Sequence, residues 1–428
     1  EWIGEIPTDF SLYKLKYLLS SPLCYGANES GTLYSDILPR YIRITDISPN
    51  GTLKNSGMLS LDESSAQNYM LHEGDILFAR SGATVGKSFI YHNYYGRAAY
   101  AGYLIKASFN RLVLPEFVYY YTCSSAYEIW KNSIFIQSTI QNIGADRYSN
   151  LPISVPNSID KQLRIVRYLN NFCSKFDAII YNLQTSIEDY KKLKQAIITQ
   201  AITKGVRGER EMKDSGIAWI GEIPKEWDII KSSRIIKTTQ NGLSRRDLEK
   251  SEGQIILKLK NITSDGKIDY SFLNRITLSQ NELNTYALTT GDFLFVRVNG
   301  SKSLVGKCAI FEAISEIVAY NDHIIRVKLS NQCYNRFFLW YLYSCCGKAE
   351  IDLHTSTAAG QYTISGDGLR DITLVFPPID EQKEIADYLD AKCAEIDKLI
   401  AKKEQLVKEL ESYKKSLIYE VVTGKREV

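Results

Sequence analysis

The chain has 428 residues, of which 44% are hydrophobic and 24% charged, and its formal net charge is +3. That length exceeds one ordinary domain, and the balance is that of a globular protein rather than a disordered or fibrous one. No run of about 18 apolar residues offers a helical membrane span, and charge alone does not point to nucleic acid.

Taken in chain order, Trp2-Ile3-Gly4-Glu5-Ile6-Pro7 comes first, preceded only by Glu1. Short β-type runs follow at Tyr41–Ile47 and Asp75–Ala79, bounded by Gly, Asp, Asn and Pro turns. Ser81–Ser88 reads SGATVGKS, which lacks only the first glycine of a phosphate-binding loop. Such a loop needs a helix start behind it to hold phosphate, and the Phe89-Ile90-Tyr91 that follows here reads as strand. A turn is therefore expected, with Arg80, Thr84 and Lys87 near its tip. Aromatics at helical spacing predict a helical run over Pro115–Trp130, where they serve as core. A proline-rich step, Leu151 to Pro156, leads into a long helix.

From Val166 the apolar residues of that helix are Leu169, Cys173, Phe176, Ile180, Leu183, Ile187, Tyr190, Ile197 and Ala201. Their gaps alternate between three and four, which is a heptad seam. At 1.5 Å per residue the helix is roughly 65–70 Å long.

The sequence then begins again. WIGEIP returns as Trp219 to Pro224, and GDILFAR (Gly74 to Arg80) returns as GDFLFVR (Gly291 to Arg297). Gly86-Lys87 returns as Gly306-Lys307. Asp160, Gln162, Ile165, Tyr168 and Leu169 return as Asp380, Gln382, Ile385, Tyr388 and Leu389. A β-type run at Ile255–Leu259 and a helical run at Asn335–Ile351 fall in place. A second seam comprises Ala386, Leu389, Cys393, Ile396, Ile400, Val407, Leu410, Leu417 and Val421, and both seams hold a lysine in the same slot, Lys194 and Lys414. By contrast, Ser20–Tyr34 and Ser232–Gly253 have little in common, nor do Ser81–Val85 and Val298–Val305. A repeat of this length governs every other reading. Shared framework with divergent loops describes one scaffold presenting two surfaces.

Two helices with unpartnered seams in one chain most simply cover each other. If a pseudo-twofold axis relates the copies, the helices lie antiparallel and the β-rich heads stand at opposite ends of a rod. The eight cysteines include no CxxC pair and read as small buried thiols of a reducing cytoplasm.

These pieces together resemble the specificity subunits of type I restriction–modification systems, over nearly the whole chain. The resemblance is carried by WIGxIP, by GDxLxxR followed by GK, and by the proline-rich steps Leu151 to Pro156 and Leu374 to Gln382. It extends to the helix tails AITKG (Ala201 to Gly205) and VVTGK (Val421 to Lys425). The set occurs in order, twice. Two departures stand out. The EQ step into the helix is Lys161-Gln162 in the first copy, which is expected to weaken a partner contact there. Met212-Lys213-Asp214-Ser215-Gly216 precedes the second WIGEIP with no counterpart before the first, so the native N-terminus is expected upstream of Glu1.

The resemblance implies an α+β fold. Two repeated α/β target-recognition domains, 1–157 and 208–378 (the latter with a linker), are separated and joined by long antiparallel coiled-coil helices, 158–207 and 379–428, in a pseudo-twofold arrangement. It also implies a cytoplasmic, non-catalytic subunit that reads two DNA half-sites. The expected partners are double-stranded DNA, two methyltransferase subunits and the restriction subunits, with no cofactor, no metal and no membrane. The residues agree. Pro377-Pro378 follows Phe376 rather than the Asn or Asp of an amino-methylating motif, and no glycine-rich methyl-donor loop follows a first strand. Asp380, Glu381 and Glu384 open a helix, where carboxylates complement the dipole. A lone methyltransferase or nuclease, and a coiled-coil scaffold indifferent to DNA, are the rival classes.

DNA recognition draws on Arg and Lys for guanine edges and phosphates, and on Asn and Gln for adenine. Turn and loop positions supplying such chemistry in the first copy are Arg43, Thr45, Arg80, Ser81, Thr84, Lys87, Gln137, Thr139, Gln141 and Asn142. In the second copy they are Arg245, Arg246, Lys258, Lys260, Asn261, Arg297, Asn299, Lys302, Lys307, Gln361 and Tyr362. Each competes with the plainer role of a solvated surface residue. Because Arg80 and Arg297 recur, they suit a shared phosphate or framework role better than base discrimination.

Overall fold

Every apolar residue of the GDILFAR run is needed, because its strand is covered on both faces. In the computed structural model, Ile76–Ala79 sends Ile76 and Phe78 into one buried cluster and Leu77 and Ala79 into another. The repeat does the same in Phe293–Val296, with Phe293 and Phe295 on one side and Leu294 and Val296 on the other. A strand sandwiched in this way reads as a continuous hydrophobic run rather than an alternation. The structure describes residues 3–48, 51–135, 142–245, 252–263, 266–358 and 360–428.

The chain divides into two compact units. One comprises Glu1–Thr185 with Lys403–Val428, the other Ser186–Lys402. In the first, Ile76–Ala79 lies between Leu104–Ala107 and Ser88–Ile90, with Cys24–Tyr25 at the edge, all antiparallel. A second sheet runs in the order Thr32–Leu33, Leu59–Ser60, Arg40–Ile42, Ala98–Tyr100, its last pair parallel. Phe10–Lys14 pairs antiparallel with Pro152–Pro156 and joins the start of the unit to the step into the helix.

The second unit repeats this plan. Ile236–Asn241, Ile324–Leu329, Phe293–Val296 and Cys308–Ile310 form the main sheet. Asn274–Ile276, Gln254–Leu257 and Val318–Tyr320 form the companion, with the same parallel pair, and Asp228–Lys231 pairs with Thr373–Phe376. It adds a small sheet of Val298–Asn299, Gln361–Thr363 and Ser356–Ala358.

The predicted helical runs are each two helices, Pro115–Thr122 then Ser125–Phe135, and Asn335–Tyr343 then Cys345–Leu353. The breaks fall at buried serines. Ser124 Oγ donates to the Tyr121 carbonyl at 2.7 Å, and Ser344 Oγ both donates to the Tyr341 carbonyl and accepts from Gly347 N. A side chain competing for the backbone in this way ends a helix. The expected run Tyr41–Ile47 is a short strand followed by a 3-10 turn, Ile44–Asp46, and Ile255–Leu259 behaves alike.

Glycine is required at the GK step. Gly86 and Gly306 have φ of +82° and +75°, and a Cβ there would lie 2.2 Å from Lys131 Cδ or 2.3 Å from Ile351 Cγ2. The second short helix of each unit thus rests directly on that backbone.

Two long helices, Ile159–Lys204 and Ile379–Val422, each contribute to both units. In the first unit Leu169 and Cys173 share a core with Leu417, Ile418, Val421 and Val422, and the Phe176 ring meets Tyr413 at 5.6 Å. In the second, Ile198, Ala201 and Ile202 share a core with Ile385, Ala386, Leu389 and Cys393. Rising numbers on one helix meet falling numbers on the other, so the segments are antiparallel in each unit. All the seam residues named above are buried or partly buried. The seam lysines meet acids: Lys414 lies 2.6 Å from Asp177, and Lys194 lies 2.7 Å from Asp397.

The glutamine that recurs at both helix starts is a clamp. Gln162 Nε2 donates to the Leu112 and Pro156 carbonyls at 3.0 Å, and its Oε1 accepts from Leu114 N. Gln382 does the equivalent with Pro377 and Tyr334. The neighbouring Glu381 is buried, accepting from Trp227 Nε1 at 2.9 Å and from Arg210 at 2.6 Å. Arg207 meets Glu384 alongside, which holds the Glu384 carboxyl below its ordinary range. Lys161 instead pairs with Asp9. The EQ departure is thus a change of internal partner: Glu381 is spent within its own unit, and so is Lys161.

The expectation of buried cysteines holds for five of the eight, while Cys24 and Cys345 are exposed and Cys123 is partly buried. Cys173, Cys308, Cys333, Cys346 and Cys393 are buried, and all eight thiols are free. Burial pushes the thiols of Cys123, Cys173, Cys346 and Cys393 up to about 11, away from nucleophilic use.

Candidate nucleic-acid interface

The end of the central strand builds the same ledge in both units. Arg80 N donates to the Tyr103 carbonyl at 3.0 Å, and the Arg80 carbonyl accepts from Ile143 N at 2.9 Å. Arg297 N donates to the His323 carbonyl at 2.8 Å, and its carbonyl accepts from Ile364 N at 3.0 Å. Gly26 N and Gly242 N reach the matching carbonyls of Leu104 and Ile324, at 3.2 and 3.0 Å. An arginine is therefore fixed at the end of an otherwise apolar strand, where three loops converge.

How the guanidinium is held differs. Arg80 lies over the Tyr25 ring, 4.9 Å from its centroid, and the Tyr25 hydroxyl accepts from Ala145 N at 3.0 Å. The partly buried Arg297 donates from Nη1 to the Asp322 carbonyl at 3.2 Å. Stacking on an aromatic face and a single carbonyl contact both leave donors of the guanidinium for a ligand.

Other predicted positions gather at this ledge. Ser81 and Asn142 face each other across an antiparallel bridge. Thr84 and Lys87 lie on the following turn, closed by Lys87 N to the Thr84 carbonyl at 3.0 Å. Strand Ser88–Ile90 comes next, so SGATVGKS lacks the helix start a phosphate loop needs. In the second unit Asn299 pairs with Tyr362, and Gln361 lies on the same hairpin. Asn299 Oδ1 accepts from Ser301 N at 3.0 Å, Lys302 stands exposed 3.8 Å from Asp352, and the Lys307 carbonyl accepts from Val296 N at 2.7 Å.

A second group sits on the 3-10 turn after the companion strand. There Asp46 Oδ2 accepts from Arg43 N at 2.8 Å, and Asn261 Oδ1 accepts from Lys258 N at 2.9 Å. Arg43 is spent on Asp46 and on the Gly57 carbonyl, at 2.8 and 2.7 Å, and the acid raises its pKa further. Asn261 is 1% exposed, with Nδ2 given to the Asp269 and Phe272 carbonyls. Both residues hold the turn rather than offer an edge. Their neighbours Thr45 and Lys260 are exposed, Lys260 lying over the Phe272 ring at 5.5 Å.

Arg245 lies apart from the ledge, bonded to Glu282 at 2.9 and 3.1 Å. Gln137, Thr139, Gln141 and Arg246 lie outside the described residues.

A ledge made twice on one framework calls for comparison with known proteins. The family profile described as "Type I restriction modification DNA specificity domain" matches residues 34–189 and 224–409. The chain belongs to this family. Each match runs from a head into a long helix, so the repeat consists of two such specificity domains. Among relatives, the type I restriction enzyme StySPI specificity subunit of Salmonella potsdam is 24% identical over 316 residues, 74% of this chain and 66% of that one. The EcoKI specificity subunit of Escherichia coli (strain K12) is 25% identical over 279 residues, 64% of this chain and 58% of its own length. The aligned part thus spans less than two thirds of either relative. A chain from a solved structure concerned with assembly and conformational transition of the type I R-M system shares the fold, with a TM-score of 0.73. It has 14% identity and covers 99% of this chain and 100% of that one. Among the described residues of this specificity-domain chain, no helix is long and apolar enough to cross a membrane.

Tyr25, Tyr103 and His323 were not among the sequence candidates. The backbone frame brings Tyr103 beside Arg80 and His323 beside Arg297, and a ring contact brings Tyr25 beside Arg80.

Proposed function

We propose that the chain is the non-catalytic, DNA-reading subunit of a type I restriction–modification complex, with one half-site of a bipartite target read by each head. The reading divides the chain into recognition regions 1–157 and 208–378, the second including a linker, and into helices 158–207 and 379–428. Two methyltransferase subunits and the restriction subunits would dock on this scaffold in the cytoplasm, and the chemistry would be theirs. The observation that supports it most is the duplicated ledge: an arginine on an identical backbone frame, ringed by different side chains. One frame with two sets of neighbours suits two different half-sites, as base contacts specify and phosphate contacts position.

The heads are nearly neutral, with 12 basic and 13 acidic residues over 1–157. Neutralisation of phosphates supplies much of DNA affinity, so the purified chain alone is expected to bind weakly and to bind tightly only with its methylating partner. Mobility shifts across a salt series, with and without that partner, measure this. Nanomolar specific binding by the chain alone at physiological salt contradicts it. Mapping methylated bases in a host carrying the chain and its partner tests the larger reading, which requires two short specified blocks separated by unread bases. Methyl transfer by the chain alone would favour an enzyme, and assembly with no effect on DNA a plain scaffold.

A further inference from the structure

Matched backbone bonds align the two ledges residue by residue. Tyr103 and His323 both give their carbonyls to the shared arginine's N–H. Tyr25 and Asn241 occupy the same place on the edge strand, opposite Ile105 and Ile325. The backbone is common, the arginine is common, and the side chains at these two positions are not.

We infer that Tyr103 and His323, flanked by Tyr25 and Asn241, discriminate bases, while Arg80 and Arg297 hold the phosphate backbone. This deepens the DNA-specificity reading and rests on it. A group present in both ledges on one frame cannot distinguish two different half-sites; only an exposed group that changes can. Tyr103 is 65% exposed, and the His323 side chain is 49% exposed. Neither is needed to hold the fold, since the frame uses their backbone carbonyls.

Their chemistry differs in a way bases can read. A phenol donates, accepts and offers a ring edge to a thymine methyl. His323 Nδ1 lies 2.9 Å from the Asp322 carboxylate, and in the neutral tautomer that donates to it Nε2 is an acceptor. An acceptor there favours a base presenting an exocyclic amine, adenine or cytosine.

The test uses the full chain with its methylating partner and a target library randomised through both half-sites, bound and sequenced at fixed salt. Tyr103→Ala is expected to relax one or two adjacent positions in one half-site, losing roughly 5- to 150-fold discrimination, with the other half-site unchanged. His323→Ala should do the converse. Arg80→Ala should weaken all sequences alike and lower the salt slope by about 0.9. Unchanged thermal melting shows that the variants fold. Identical preferences in Tyr103→Ala and wild type, or equal loss on every sequence, overturn the inference. A wild-type complex with no sequence preference would instead remove the reading beneath it.

Discussion

Lys302 is the clearest residue-scale probe outside the aligned ledge positions. It lies on the loop that is three residues longer in the second copy than in the first, and its ammonium is exposed with a 3.8 Å approach to Asp352. At that distance the pair is worth little, so Lys302→Ala should leave melting unchanged. It should weaken binding of the partnered complex, and do so for one half-site only, by about 1–3 kcal/mol if the contact is to a base. Competition binding with half-site variants measures it, and equal weakening at both half-sites would assign the loop to structure. Asn299 is a poorer probe, because its amide oxygen also holds Ser301 N. The residue scale is where the sequence was least legible. A list of polar residues in predicted turns cannot tell Thr45, which is exposed, from Asn261, whose amide is turned inward onto two carbonyls. Tyr103 and His323 escape such a list altogether, since their equivalence shows only in the bonds to Arg80 and Arg297.

Helices and strands were far more legible, because their signals are periodic and the period is physical. The alternating three–four gaps marked seams that are buried along both helices, and the unbroken apolar GDILFAR and GDFLFVR runs marked strands covered on two faces. What periodicity could not give was the partner of each seam lysine. Lys194 with Asp397 and Lys414 with Asp177 repeat at one offset of 220, so each segment meets its opposite in a single register. With Asp397 52% exposed, the ion pair contributes less than about 1 kcal/mol. Its use is alignment, as a polar group in an apolar seam fixes register at some cost in stability. Lys194→Leu should therefore raise the thermal midpoint, since a buried leucine adds about 1.5–3 kcal/mol. Lys194→Glu should lower the midpoint, and adding Asp397→Lys should restore it. Calorimetry of the four proteins decides the matter; failure of the double reversal to recover stability would show that the two side chains do not interact.

At the scale of the whole molecule, the division of the chain has a consequence for half of it. The first unit is completed by Leu417, Ile418, Val421 and Val422, from the far end of the second long helix. The first long helix carries the same sequence slots at Ile197, Ile198, Ala201 and Ile202, where the last three lie in the core of the second unit and Ile197 packs against it. A fragment ending near Gly208 thus holds a head that lacks its cover, together with a helix end suited to covering such a head. Four side chains at roughly 1.5–3 kcal/mol for each large one are a strong drive to associate. Two fragments satisfy it reciprocally, each helix end closing the other's head, and Lys194 of one can meet Asp177 of the other where Lys414 stood. A closed twofold dimer follows, and symmetric protein reads symmetric DNA. The fragment should sediment as a dimer at micromolar concentration. With the methylating partner it should modify a palindrome built from one half of the original target. A folded monomer, or methylation confined to the original asymmetric sequence, would show that the helix ends are not interchangeable.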